Sequence, residues 1–194
     1  QFPATATLVQ DRIGASNAAA LDVSAACSGF IYGLNLAHAM ISAGSMERVL
    51  VIGAEVLSKF VDWQDRSTCV LSGDGAGAAV LEACGPGEGV LSTYMKSDGS
   101  LADLLCIPGG GSRIPVNEGS AADRLHYIKM KGDGVFKFAV RAMQDAARVV
   151  LDEAGFSIAD VKFVVPHQAN IRIVDAVAER LEVPKERLIV NLDR

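Results

Sequence analysis

The chain has 194 residues, half of them apolar, with a net charge of −5 at neutral pH. That is enough apolar mass for a sizeable core in one domain or two small ones. No apolar run reaches the roughly 18 residues of a membrane span, and the acidic balance argues against a nucleic-acid surface. Four cysteines, Cys27, Cys69, Cys84 and Cys106, lie far apart without a CxxC pair, and the three histidines form no ligand cluster. Neither a disulfide framework nor a zinc or other metal site is expected. With no charged-then-apolar leader at its start, the chain reads as soluble and cytoplasmic. It opens on Gln1-Phe2-Pro3 and closes on a strand-like run over 189–194, so a fragment is expected.

Residues 4–12 carry a helical pattern that Gly14 can end. Residues 18–23 are small and apolar and approach strand character. They lead into Asp22-Val23-Ser24-Ala25-Ala26-Cys27-Ser28-Gly29-Phe30, after which Phe30, Ile31, Leu34, Ala37 and Ile41 recur at helical spacing as far as Gly44. Cys27 therefore falls where a buried strand turns into a helix. Backbone N–H groups and the helix dipole there stabilise a thiolate and can face an oxyanion. The competing reading is a small cysteine buried in a core. The continuous apolar run 49–54 predicts a strand covered on both faces, and the strand, helix, strand alternation suggests α/β layering.

Residues 62–68 form a polar stretch holding Trp63, the single tryptophan. Residues 69–72 and 79–81 then flank Gly73-Asp74-Gly75-Ala76-Gly77-Ala78. This run fits the dinucleotide fingerprint in letters but not in context, because no helix pattern follows it. Two strands joined or bent by glycines are expected instead. From 85 to about 124 the chain is rich in glycine, proline and polar residues, as in a surface excursion or a joint between halves. A short strand follows at 127–130. A long amphipathic helix then spans about 134–154, with Val135, Phe138, Ala139, Ala142, Ala146, Val149 and Val150 on one face and Gly155 closing it. Residues 157–160 carry a capping-box signature, and 161–165 read as a strand. Pro166-His167-Gln168-Ala169-Asn170 stands at the end of that strand, before a helix marked by Ile171, Val174, Val177, Ala178 and Leu181. His167 thus repeats the placement of Cys27, at the edge where layered α/β proteins bind ligands. A thiol nucleophile needs a basic partner that the fold, not the sequence, brings close.

Four stretches together resemble β-ketoacyl-[acyl-carrier-protein] synthase III, of the thiolase superfamily. They are Ala25-Ala26-Cys27-Ser28-Gly29-Phe30, residues 62–79, Val135-Phe136-Lys137-Phe138-Ala139-Val140, and Pro166-His167-Gln168-Ala169-Asn170-Ile171-Arg172. The resemblance implies a five-layered αβαβα fold, here partial, built from two similar halves and working as a homodimer. Residues 1–84 would belong to the N-terminal half, 85–125 to a connecting segment and 126–194 to the C-terminal half. It further implies that Cys27 takes the acyl group of a short acyl-CoA, in the first instance acetyl-CoA. His167 would act on malonyl carried by acyl carrier protein, with no metal or other cofactor. The family's third catalytic group, an asparagine in a Gly-Asn-Thr motif, falls just after the position of Arg194 and is distinct from Asn170. By the same resemblance Arg66 meets the adenine end of coenzyme A, while Phe136, Ala139 and Asn170 contact the CoA and pantetheine chain. Lys137, Gln168, Ala169, Asn170, Ile171 and Arg172 face the acyl carrier protein. Where the family often has phenylalanine, this chain has Ser72, which suggests room for a longer or branched primer. The competing readings are a related condensing enzyme or acyltransferase of secondary metabolism, an inactive fragment that only dimerises through the segment near residues 18–26, and a Cys–His hydrolase.

Overall fold

A computed structural model describes residues 2–192. It divides into two compact units, Gln1–Gly53 with Gly77–Cys84, and Ala54–Ala76 with Gly85–Arg194.

In the first unit, α1 (Thr5–Arg12) is tied to the following segment by Asp22, whose carboxylate accepts from the N–H groups of Thr5 and Ala6, both at 2.8 Å. Those two bonds hold the Asp22 carboxyl below its ordinary pKa. The helix α2 (Gly29–Ser42) ends at Gly44 in the left-handed region, as the spacing predicts. It lies against β1 (Arg48–Val56) at close range. A Cβ on Gly33 would meet Val51 Cγ1 at 2.8 Å, and one on Gly53 would meet Phe30 at 3.3 Å. Glycine at both places lets helix and strand approach, and Val51 is buried in the contact. The other face of the strand is open: Leu50 and Ile52 are each 43% exposed, so the expectation of cover on both faces does not hold within this chain. Residues 18–23, which approach strand character in sequence, join no strand among the described residues.

Past β1, a polar stretch leads to the one-turn helix α3 (Arg66–Cys69) and then to β2 (Asp74–Glu82), which pairs with β1. From Asp74 on, the glycine run lies inside a single strand and opens no helix, which the dinucleotide fingerprint requires. Residues 69–72, expected as a second strand, are the end of α3 and a turn, because Asp65 caps a helical turn there.

The loop-rich stretch contains a 3₁₀ segment (Gly99–Leu104), β3 (Leu105–Cys106) and α4 (Glu118–Ala122), the last closed by a reciprocal Asn117–Ser120 capping box. β3 pairs antiparallel with β4 (Lys129–Met130). Next comes α5 (Gly132–Ala154), stopped by Gly155 at φ 73°. Gly134 admits Leu104, whose Cδ2 would stand 2.8 Å from an added Cβ.

The core of the second unit lies where α5 meets α6 (Ile171–Leu181). Val140, Ile173, Val177, Ala178, Leu181 and Val183 form it, with Ala139, Met143 and Ala147 against its edge. Complete burial of a side chain of this size contributes roughly 1.5–3 kcal/mol. The apolar arc of α5 is therefore used off-centre from the expected stripe, since Ala139, Val140, Met143 and Ala147 meet α6 while Phe138 stays 38% exposed. On α6, Ile173 takes the inward place expected of Ile171, which stands exposed at the first helical position. Gln144 Nε2 donates to Arg180 O at 3.3 Å, and beyond it Arg148 and Leu151 line a small cavity with Arg180 and Glu182. The two helices therefore advance in the same direction, with their N-terminal turns at one end. The strand expected at 161–165 is reduced to one parallel bridge, Val164 to Leu188, with Val164 N donating to Arg187 O at 2.8 Å and Ile189 N to Val164 O at 3.0 Å. The strand expected over 189–194 gives no ladder over its described residues, and residues 193 and 194 lie outside them.

Candidate active site

Cys27 sits in the first unit on a 3₁₀ turn, Ala26–Ser28, that runs without a break into the fourteen residues of α2. Ala26 holds φ at 46°, in the left-handed region that L-residues rarely adopt. No side chain caps either the turn or the helix. The thiol-bearing residue is exposed and in no disulfide, so the buried-core alternative is not what the fold shows.

All other site residues expected from the sequence belong to the second unit. His167 is exposed, yet the protein around it removes enough water to hold its imidazole below the ordinary pKa of 6.5. The loop bearing it is fixed by amides on either side. Gln168 Nε2 donates to Pro166 O at 2.9 Å and to Ile189 O at 3.1 Å, while its Oε1 accepts from Asn191 N at 3.0 Å. Asn170 caps α6, its Oδ1 accepting from Arg172 N at 2.9 Å. Ala169 lies half-buried between these two side chains in sequence, and Ile171 and Arg172 follow, both exposed.

On α5, Phe136 and Lys137 are exposed in the N-terminal turns. Ala139 is drawn onto the α5–α6 core. Because the two helices run the same way, Phe136 and Lys137 share an end of the unit with Arg172. Arg66 opens α3 and is exposed; the cap beneath it is Asp65, which accepts from Ser67 N at 3.0 Å and Ser67 Oγ at 2.6 Å. These bonds hold the Asp65 carboxyl below its usual pKa. Ser72 is half-buried just before β2, with Oγ 3.5 Å from Thr68 O.

Sequence reasoning missed Asp62 and Arg124. Asp62 is only 4% exposed, and it pairs with Arg124 across 62 positions of sequence. That pairing, chiefly the Arg124 hydrogen bonds, holds the Asp62 carboxyl at about 2. Nothing local announces such a partner; only the run of charge at 62–66 marks the region.

Comparison with known proteins gives the family of the chain. Residues 21–99 match the family described as 3-oxoacyl-[acyl-carrier-protein (ACP)] synthase III, and residues 151–194 match its C-terminal part. A β-ketoacyl-[acyl-carrier-protein] synthase III of Symbiobacterium thermophilum is 50% identical over 193 residues, covering 100% of this chain and 58% of the relative. The crystal structure of 3-oxoacyl-[acyl-carrier-protein] synthase III from Aquifex aeolicus VF5 superposes with a TM-score of 0.89 at 47% identity, over 100% of this chain and 58% of its own. The corresponding protein of Pseudomonas aeruginosa PAO1 gives 0.88 at 42% identity, over 98% and 57%. The chain thus spans little more than half the length of the relatives it matches.

Proposed function

Because this chain belongs to the 3-oxoacyl-[acyl-carrier-protein] synthase III family and has, in part, its thiolase-like fold, we propose that the whole protein is a β-ketoacyl-[acyl-carrier-protein] synthase III that starts fatty acid synthesis. The observation that carries the reading is the exposed Cys27 on a strained turn that feeds directly into α2. A nucleophile at a helix N-terminus is favoured as thiolate. Its Sγ attacks the carbonyl carbon of acetyl-CoA, backbone N–H groups receive the charge on oxygen, and the thiolate of coenzyme A leaves.

Malonyl-acyl carrier protein then enters. Its C–C bond to the carboxylate breaks, carbon dioxide departs, and the electron pair passes into an enolate. His167 donates a hydrogen bond to the enolate oxygen. A neutral imidazole serves that purpose, and the desolvation that lowers the pKa of His167 keeps it neutral at pH 7. The enolate carbon attacks the acetyl carbonyl, Cys27 leaves as thiolate, and 3-oxoacyl-carrier protein is released. Decarboxylation supplies the driving force, so the residues are asked for no metal or redox cofactor. Lys137 and Arg172, exposed at the shared end of α5 and α6, suit an acidic carrier protein. Arg66 and Phe136 serve the coenzyme A thioester. Exposed Leu21 and Val23 support a homodimer formed through the segment near residues 18–26, and the enzyme works in the cytoplasm.

Incubating the whole enzyme with acetyl-CoA and malonyl-acyl carrier protein tests the reading. Mass spectrometry of the carrier protein is expected to show the 3-oxoacyl group, with release of carbon dioxide. Steady thioester hydrolysis without malonyl-carrier protein, and no condensed product, would contradict it.

A further inference from the structure

We propose that the pair made by buried Asp62 and half-buried Arg124 is a positioning device for the loop presenting Trp63 and Arg66, and that it sets how tightly the nucleotide end of a coenzyme A thioester is held. The ligand in this statement rests on the acyl-CoA reading above; the mechanical part rests on local geometry alone.

A carboxylate at 4% exposure has to be paired and hydrogen-bonded to remain charged. Asp62 receives Arg124 Nε at 2.7 Å and a second prong from Arg124 Nη2. Its Oδ1 also accepts from Gln64 N at 2.9 Å. The side chain is thus a joint between Arg124 and the loop backbone. Asp65 N donates to Asp62 O at 2.9 Å, and the Asp65 carboxylate gathers Ser67 N and, at 3.1 Å, Thr68 Oγ1. One line of bonds therefore runs from Arg124 through Asp62 and Asp65 to the turn of α3. The residues it does not use are open to solvent: Trp63 is 67% exposed, and Arg66, three positions on, is exposed too. An exposed indole and an exposed guanidinium on one braced loop suit a purine ring and phosphate oxygens.

Arg124 is itself anchored. Its guanidinium lies 5.0 Å from the centre of the Tyr127 ring, and Ile128 N donates to Phe60 O at 2.8 Å, joining the two segments a second time. Its backbone is in the left-handed region, at φ 57°, directly after the capped turn of α4. A non-glycine residue held there by its surroundings is a fixed support rather than a wandering surface arginine.

The test uses the whole enzyme and the variants Asp62→Asn and Arg124→Lys. The second keeps the charge and loses the fork, so it guards against a misfolded first. Hydrogen exchange of peptides covering residues 62–69, and kcat/KM with acetyl-CoA against acetyl-pantetheine, are the readouts. Faster exchange in this loop is expected, with a loss of roughly tenfold in kcat/KM for acetyl-CoA, carried by KM, and unchanged use of acetyl-pantetheine. Unchanged exchange, or equal loss with both thioesters, overturns the proposal. If the unaltered enzyme takes acetyl from neither thioester, the acyl-CoA reading fails, and the exchange measurement decides the positioning role alone.

Discussion

The turn into α2 is held by backbone, with Ala26 in the left-handed region and no side-chain cap, whereas the turn into α6 is held by side-chain amides, Asn170 as its cap and Gln168 as its clamp. The difference matters for chemistry. In the proposed mechanism Cys27 would need its neighbouring N–H groups open to an incoming oxygen, and a capping side chain would compete for them. In the same mechanism His167 would need a fixed position, and the Gln168 tethers hold the loop that carries it.

If the contrast is right, the largest effect belongs to the nucleophile. Cys27→Ala in the whole enzyme is expected to abolish acyl transfer, a loss of roughly a thousandfold or more, with thermal unfolding unchanged; a variant retaining half its rate would break the comparison. His167→Ala is expected to be acylated normally yet to lose condensation by about 10²–10⁴-fold. Loss of the acylation step instead would give His167 the role of base to Cys27. The amide tethers should matter for stability first: Asn170→Ala is expected to cost about 1 kcal/mol in urea unfolding, the usual cost of a lost cap, whereas Asn170→Asp should keep it. Smaller still and opposite in sign, Ala26→Gly should stabilise by up to about 1 kcal/mol, since glycine relieves the left-handed backbone. A destabilised Ala26→Gly would show that Ala26 is not strained.

His167 gives the comparison a pH axis. Its folded-state pKa lies below 6.5, so at intermediate pH the unfolded chain binds more protons at this site than the folded one. The stability it contributes is present above 6.5 and is lost as pH falls through the folded-state value. His167→Gln should flatten the stability curve just below pH 6.5 without altering it at pH 8; an unchanged slope would show that desolvation at this site is negligible.

The elements legible in the sequence are those whose signal is local. Gly44 and Gly155 end their helices as expected, the Ser157–Asp160 box forms, and Ile158–Asp160 makes the short turn it announces. Strands were harder, because a strand is a property of a pair. Residues 18–23 and 161–165 have the composition, but among the described residues the first joins no strand and the second has only the bridge at Val164. In residues 69–72 the Asp65 cap outweighs the β-branched and apolar character of Val70 and Leu71. For the site, the turn-before-helix placement of Cys27 and His167 came from spacing and motif. The long-range tethers did not: Gln168, beside His167, reaches Ile189, and Arg124 reaches Asp62 in the loop of Arg66, over sequence distances that no window of residues reveals.

Peptide-mapped mass spectrometry of the whole protein after brief exposure to acetyl-CoA tests the central assignment most directly. One acetyl group on Cys27, with Cys69, Cys84 and Cys106 unmodified, is the result this account predicts. Acetyl on another cysteine, or on none, would contradict it.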